Sequence, residues 1–206
     1  MSIIKGTIPV SVLVIDDYYS KQEFKQILTE IKLLYSNELT DHSVRYDNTA
    51  SNVDENGDPY LLANRDLFWL DSVYLNRCYS AYFRYYQKFQ QLEKFKEFIE
   101  LPTVASIVST KIDTTLISVY GNNGKYAAHC DDSAFTQISY FTEDESSIQG
   151  GDIYFKDLNE TVKFKNNRMI MFPGFLSHEV TAITIKKPSV KRYSISTFYN
   201  YLRNAA

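Results

Sequence analysis

The sequence predicts an α+β chain, helical in its first half, with a mainly antiparallel β core after it in the form of a sandwich, jelly roll or barrel. Three observations predict this. Before Pro102, apolar residues recur in long runs at helical spacing. After Pro102, short alternating runs are separated by turn residues. Throughout, 17 tyrosines and 13 phenylalanines among 206 residues give the aromatic content of a β-rich protein.

The elements follow in order. "VSVLVIDD" (residues 10–17) is β-branched and short, a strand. In residues 20–36, Phe24, Ile27, Leu28, Ile31 and Leu34 mark one helical face, and Ser20 stands at the cap position. Residues 39–65 are polar and read as a long loop, either a lid over a binding site or a plain insertion. Within it, "DENGDP" has Asp54, Asn56 and Asp58 at calcium-loop spacing. Pro59 stands where such a loop needs glycine, and Arg65 ends it in place of glutamate, so it reads as a turn. Residues 66–100 read as helical, aromatic on several faces, packed against a sheet. Then "TTLISVY", "FTQISYF", "GGDIYF", "TVKFK", "RMIMF" and "KRYSISTFYNY" read as strands. "GNNG", with Asn123-Gly124, is a hairpin signal, and "KNN" a tight connection.

The totals exclude some functions. Net charge is −3 with both signs dispersed, so the basic excess of a non-specific nucleic-acid binder is missing and no nucleic-acid partner is expected. No apolar run reaches the ~18 residues of a membrane helix. The N-terminal run lacks a cleavage site, and there are only two cysteines, Cys78 and Cys130. The expectation is a soluble, cytoplasmic protein.

Chemistry concentrates in "YAAHCDD". His129 and Asp131 are two apart, so on an extended chain both face the same way. His178 follows in "FPGFLSHEV"; the third histidine, His42, has no acidic partner at such spacing. Two histidines and a carboxylate form the facial triad of non-haem Fe(II) oxygenases, holding one face of the metal and leaving the other open. Arg192 and Ser194 share a strand face and present a planar fork plus a hydroxyl to a carboxylate. Together these describe a site for a keto-acid that chelates iron and anchors its far end on arginine.

The pieces "YGNNGKYAAHCD", "TQISYF", "QGGDIYF", "MFPGFLSHEV" and "KRYSISTF", spanning roughly residues 114–199, resemble the Fe(II)- and 2-oxoglutarate-dependent dioxygenases, and among them the prolyl 4-hydroxylase-like group. The resemblance implies a double-stranded β-helix (jelly roll) with the N-terminal helices packed on one sheet. The length suits a single domain over 1–206, and the order of elements divides it into 1–101 as strand and helical support and 102–206 as the jelly-roll catalytic core. The resemblance also implies His129, Asp131 and His178 as metal ligands, and Arg192 with Ser194 as the anchor of 2-oxoglutarate. Tyr140 matches a tyrosine that binds the same carboxylate, and Tyr120 and Tyr126 match aromatic positions lining the pocket or its core. Gly150-Gly151-Asp152 matches a glycine turn that carries glutamate in the family. Asp132 and Lys191 adjoin Asp131 and Arg192, but the family spacing selects the latter pair; Cys130 is expected to point away from the metal and pack.

The implied cofactors are Fe(II), 2-oxoglutarate and O2, with ascorbate sustaining activity. The implied reaction is hydroxylation of an unactivated C–H bond, with a prolyl residue of a peptide or protein as substrate by resemblance alone. A free amino acid or another small molecule is the nearest rival. A non-catalytic jelly-roll binding module is the reading from a different class, though it does not require all four of His129, Asp131, His178 and Arg192. A cupin-like zinc or manganese protein leaves the Arg192–Ser194 pair unexplained.

Overall fold

Strand alternation in the C-terminal half gives one sheet two chemically different faces, and this arranges everything else. The computed structural model describes residues 1–5, 11–36, 51–53, 59–61, 63–99, 110 and 112–200. Numbered along the chain, the strands of the larger sheet lie in the spatial order β1 (Ser2–Lys5), β2 (Ser11–Ile15), β13 (Met169–Pro173), β9 (Phe135–Phe141), β16 (Arg192–Asn200), β7 (Ile112–Tyr120) and β6 (Asp66–Trp69). The smaller sheet runs β12 (Glu160–Val162), β11 (Ile153–Phe155), β14 (His178–Val180), β8 (Lys125–His129) and β5 (Ala63–Asn64). Two ribbons pair β10 (Ile148–Gly150) with β15 (Ile183–Ile185), and β3 (Ser51–Val53) with β4 (Pro59–Leu61). Every pairing is antiparallel. Two such sheets stacked face to face form the double-stranded β-helix, as expected.

On β13, Met169 and Met171 join the core under the helices, while Ile170 and Phe172 join the core between the sheets. On β9, Phe135 and Phe141 face the helices, and Ile138 and Tyr140 face inward. On β16, Tyr193, Ile195 and Tyr199 lie under the helices, whereas Arg192, Ser194 and Phe198 line a cavity between the sheets. Both faces of the larger sheet are thus covered, which explains why its central strands read as continuous apolar or small-polar runs.

Helix α1 (Lys21–Ser36) begins in a capping box: Ser20 N donates to Glu23 Oε2 (2.8 Å) and Glu23 N to Ser20 Oγ (3.3 Å). It buries Ile27, Ile31 and Leu34 against the sheet, with Phe24 and Leu28 packed alongside.

Residues 66–100 depart from the helical expectation. Asp66–Trp69 is β6, paired with β7 from Asp66↔Val119 to Trp69↔Leu116. Helix α2 (Leu70–Val73), a 3-10 turn at Arg77–Tyr79, α3 (Ala81–Tyr85), a second 3-10 turn at Lys88–Gln91 and α4 (Glu93–Ile99) follow. The breaks are local: Asn76 Oδ1 accepts from Cys78 N (3.0 Å), and Ser80 Oγ from Phe83 N (3.3 Å). Short side-chain acceptors recapture the backbone and restart the helix on a new axis. The apolar residues spread over several faces of one notional helix are in fact the single buried faces of several short ones.

The stretch 39–65 is also more structured than a loop, since β3, β4 and β5 lie in it; residues 54–58 of "DENGDP" and His42 fall outside the described residues. Strands from both sides of residue 101 share the larger sheet. Asn123-Gly124 makes a tight turn, with Gly124 N donating to Gly121 O at 3.1 Å, but no hairpin: β7 and β8 belong to different sheets, and the turn bonds instead to Ile183. The glycine turn matches expectation, with Gly150 and Gly151 at φ +72° and +73°. A Cβ on Gly150 would lie 2.2 Å from Ala182 O, so no other residue fits. Among the described residues no helix is long and apolar enough to cross a membrane.

Candidate active site

The cavity between the sheets has a volume of about 590 Å3 and takes its lining from both of them. The smaller sheet supplies His129 and His178. Though far apart in sequence, they are direct cross-strand partners, His178 on β14 opposite His129 on β8. Asp131 follows β8 by two residues. His129 Nε2 lies 3.6 Å from Asp131 Oδ1, and His178 Nε2 lies 3.7 Å from Asp131 Oδ2. One donor atom from each residue falls within 4.8 Å of the other two.

Surrounding groups preset each of these side chains. His129 Nδ1 is 2.8 Å from Ala127 O, and His178 Nδ1 is 2.9 Å from Leu176 O. A carbonyl only accepts, so each Nδ1 carries a proton, and it is then Nε2 of each ring that faces Asp131. Burial first, and the neighbouring His178 charge second, hold His129 well below the ordinary histidine range, which keeps the ring neutral. Asp131 Oδ2 accepts from Thr136 Oγ1 (2.5 Å), and Asp131 N donates to Gly174 O (2.9 Å). Such partners fix ligand orientation. Asp132 is exposed and lines the same cavity, but the three-atom cluster takes Asp131. Cys130 corrects an expectation: it is exposed rather than packed, with Sγ donating to Phe175 O (3.3 Å).

Gly174 carries a prediction. A Cβ there would lie 2.2 Å from Ser133 O, 2.6 Å from Ser133 Oγ and 3.0 Å from Asp131 O. Gly174→Ala must displace the segment that holds Asp131. Fe(II) affinity, measured by titration, is expected to drop about 10–100-fold, the usual cost of disturbing a ligand's support, while far-UV circular dichroism stays unchanged.

The larger sheet supplies the other half of the lining. Arg192 is 0% exposed, with its guanidinium surrounded by the rings of Tyr140 (4.5 Å), Tyr120 (4.8 Å) and Phe164 (5.4 Å). Its Nη2 donates to Gly151 O (3.1 Å), so the glycine turn also serves the site. Its Nε and Nη1, and the Tyr140 hydroxyl, are buried with no hydrogen-bond partner among the described residues. Each such atom costs about 1–3 kcal/mol when left unmet. Burial raises the Tyr140 phenol to about 12, against the lowering pull of Arg192, so it stays protonated and able to donate. Ser194 and Tyr120 line the same cavity, and both are buried. A buried cation with two unmet N–H groups beside an unmet hydroxyl has the donor set a carboxylate needs. The two histidines and aspartate have the donor set of a divalent iron centre. The residues therefore fit both groups.

The structure brings together all seven site residues named from the sequence: His129, Asp131, His178, Arg192, Ser194, Tyr140 and Tyr120 all line this one cavity. It adds Thr136 and Gly174 as supports, and Arg65, Leu67 and Trp69 as lining. Nothing in the spacing of those last three marks them; they reach the cavity because β6 pairs with β7.

Residues 115–200 match the family model of the 2OG-Fe(II) oxygenase superfamily. A crystal structure of a Pseudomonas putida prolyl-4-hydroxylase is similar over 92% of this chain and 92% of its own, at 12% identity and a TM-score of 0.57. One of an oxidoreductase of the 2OG-Fe(II) oxygenase family from Burkholderia pseudomallei is similar over 92% of this chain and 84% of its own, at 11% identity and a TM-score of 0.52. At such identities the likeness is one of fold. No curated protein matches the chain.

Proposed function

We propose that the chain is a 2-oxoglutarate-dependent dioxygenase that hydroxylates a prolyl residue of a peptide or protein, a reading supported by the match of residues 115–200 to the 2OG-Fe(II) oxygenase superfamily. In this reading His129, Asp131 and His178 hold Fe(II). Arg192, Ser194 and Tyr140 hold the distal carboxylate of 2-oxoglutarate, and Tyr120 flanks it. The observation that carries the assignment is the unmet donor set of Arg192 and Tyr140 in the same cavity as the triad. Bound together, iron and 2-oxoglutarate supply the oxidising power for C–H hydroxylation with O2, releasing succinate and carbon dioxide.

The protein's own contribution is positional. Nδ1 donation to Ala127 O and Leu176 O keeps both Nε2 atoms available. Thr136 fixes the carboxylate plane of Asp131. The aromatic surround of Arg192 keeps water from its guanidinium, so a carboxylate there meets a low dielectric. Leu67, Trp69, Leu116 and Phe198 add apolar lining, suited to an apolar ring bearing the C–H bond. A prolyl substrate is preferred to a free amino acid because the sequence pieces around the site resemble the prolyl 4-hydroxylase-like group.

The test is succinate release from 2-oxoglutarate with Fe(II) and ascorbate, screened over proline-containing peptides and free amino acids. Peptide-stimulated succinate with a 16-dalton gain on proline is the expected result. Stimulation by free amino acids alone moves the substrate to the small-molecule class. No succinate under any condition overturns turnover and leaves a binding module.

A further inference from the structure

The two halves of the site stand on different sheets. The histidines belong to the smaller one, and Arg192, Ser194, Tyr140 and Tyr120 to the larger. A single five-carbon dicarboxylate that chelates the metal at one end and reaches Arg192 at the other must span the gap between sheets. Its reach is limited, so the two halves have to be held within that reach of each other.

Arg65 touches both halves. Arg65 lies between β5 and β6, where the chain passes from the smaller sheet to the larger. On the larger sheet its Nη1 donates to Ser118 Oγ (2.7 Å) and approaches Tyr120 Oη at 3.5 Å. Tyr120 is in turn one of the rings surrounding Arg192. Toward the smaller sheet, the Arg65 guanidinium carbon lies 4.2 Å from the centre of the Tyr126 ring. Tyr126 stacks on His129 with centroids 3.7 Å apart and planes 18° from parallel.

We propose that Arg65 is a positioning residue that joins the metal half of the site to the cosubstrate half, acting through the Tyr126–His129 stack on one sheet and through Ser118 and Tyr120 on the other. The inference rests on the reading that His129 holds iron and Arg192 holds 2-oxoglutarate. The bond from Nδ1 to Ala127 O fixes one edge of the His129 ring, and the stack fixes its plane. Rotating the imidazole away from Asp131 requires breaking that stack, which the cation on the far face of Tyr126 strengthens. A planar guanidinium suits the task, because it stacks on a ring and donates in its own plane at once.

The experiment measures two equilibria on the full chain: Co(II) binding, read by its visible absorption, and 2-oxoglutarate binding to the metal-loaded protein, read by calorimetry. Arg65→Ala is expected to weaken metal binding about 10–100-fold and to weaken 2-oxoglutarate binding as well. Tyr126→Ala should match it, and the double variant should lose little more than either single one, because the two act as one unit. Tyr126→Phe keeps the ring, so metal affinity should stay at the wild-type level. Arg65→Lys keeps a cation but not the plane, and should fall between.

Wild-type affinity for both ligands in folded Arg65→Ala, with only the substrate KM raised, overturns the proposal and makes Arg65 a substrate contact. If Arg65→Ala does not fold, Tyr126→Ala decides by the same readout, and unchanged metal affinity there overturns it equally. His129→Ala separates the two levels. If that variant still binds metal normally, the site reading fails. If it loses metal while the Arg65 and Tyr126 variants do not, only the present inference fails.

Discussion

His178→Ala is expected to lower 2-oxoglutarate-dependent succinate release at least about 10³-fold, a loss of roughly 4 kcal/mol of transition-state stabilisation, while the protein stays folded. The side chain is 2% exposed and its Nε2 faces Asp131 across 3.7 Å, so in the proposed site its loss removes a ligand from the metal centre. Folding tolerates the change because the larger sheet also holds a core on its other face, under α1, α3 and α4, which His178 does not enter. The cost to stability is the loss of packing against Phe155 and Phe172 and of the bond to Leu176 O. That is about 1–2 kcal/mol, a drop of a few degrees in Tm. His129→Ala should behave alike. Metal titration and succinate assay on protein of verified circular dichroism check both variants. Retained turnover in either would remove the triad from the mechanism.

Arg192→Met should separate function from stability in opposite directions. The guanidinium is fully buried, with Nε and Nη1 unmet among the described residues, so in the ligand-free protein it is a cost to folding that the three surrounding rings only partly offset. Methionine fills similar space without a charge. The ligand-free Tm is therefore expected to hold or rise. With 2-oxoglutarate the effect reverses. Removing the cationic partner of a buried carboxylate costs about 2–5 kcal/mol of binding, so the half-saturating 2-oxoglutarate concentration rises from about 30-fold to over 10³-fold. The stabilisation that 2-oxoglutarate confers on the Mn(II)-loaded protein should vanish with it. Thermal melts with and without the cosubstrate show both effects. An undiminished 2-oxoglutarate-induced rise in Tm would show that Arg192 does not anchor it.

The parts of the site that were legible in the sequence are those whose geometry is local. His129 and Asp131, and likewise Arg192 and Ser194, are two residues apart, and period-two alternation alone sets each pair on a common face. The glycines at 150 and 151 were legible because only glycine takes their backbone conformation cheaply. The helix at Lys21–Ser36 was legible because its cap, its first-turn acid and its apolar stripe agree. By contrast "DLFWL" (66–70) suits a strand or a buried helix equally, and pairing with β7 decides between them. Arg65, Thr136 and Gly174 carry no mark of their role, since each acts on a partner far along the chain or across a turn.

By itself, then, the sequence determined the repertoire: which side chains can bind a metal, which can hold a carboxylate, and which neighbours share a face. Tertiary structure alone decided that His178 lies opposite His129, that the two halves of the cavity rest on separate sheets, and that Arg65 touches both. The physical reason is range. Alternation and backbone preference act over a few residues, whereas cross-strand register and sheet separation are set by packing the whole of two cores at once.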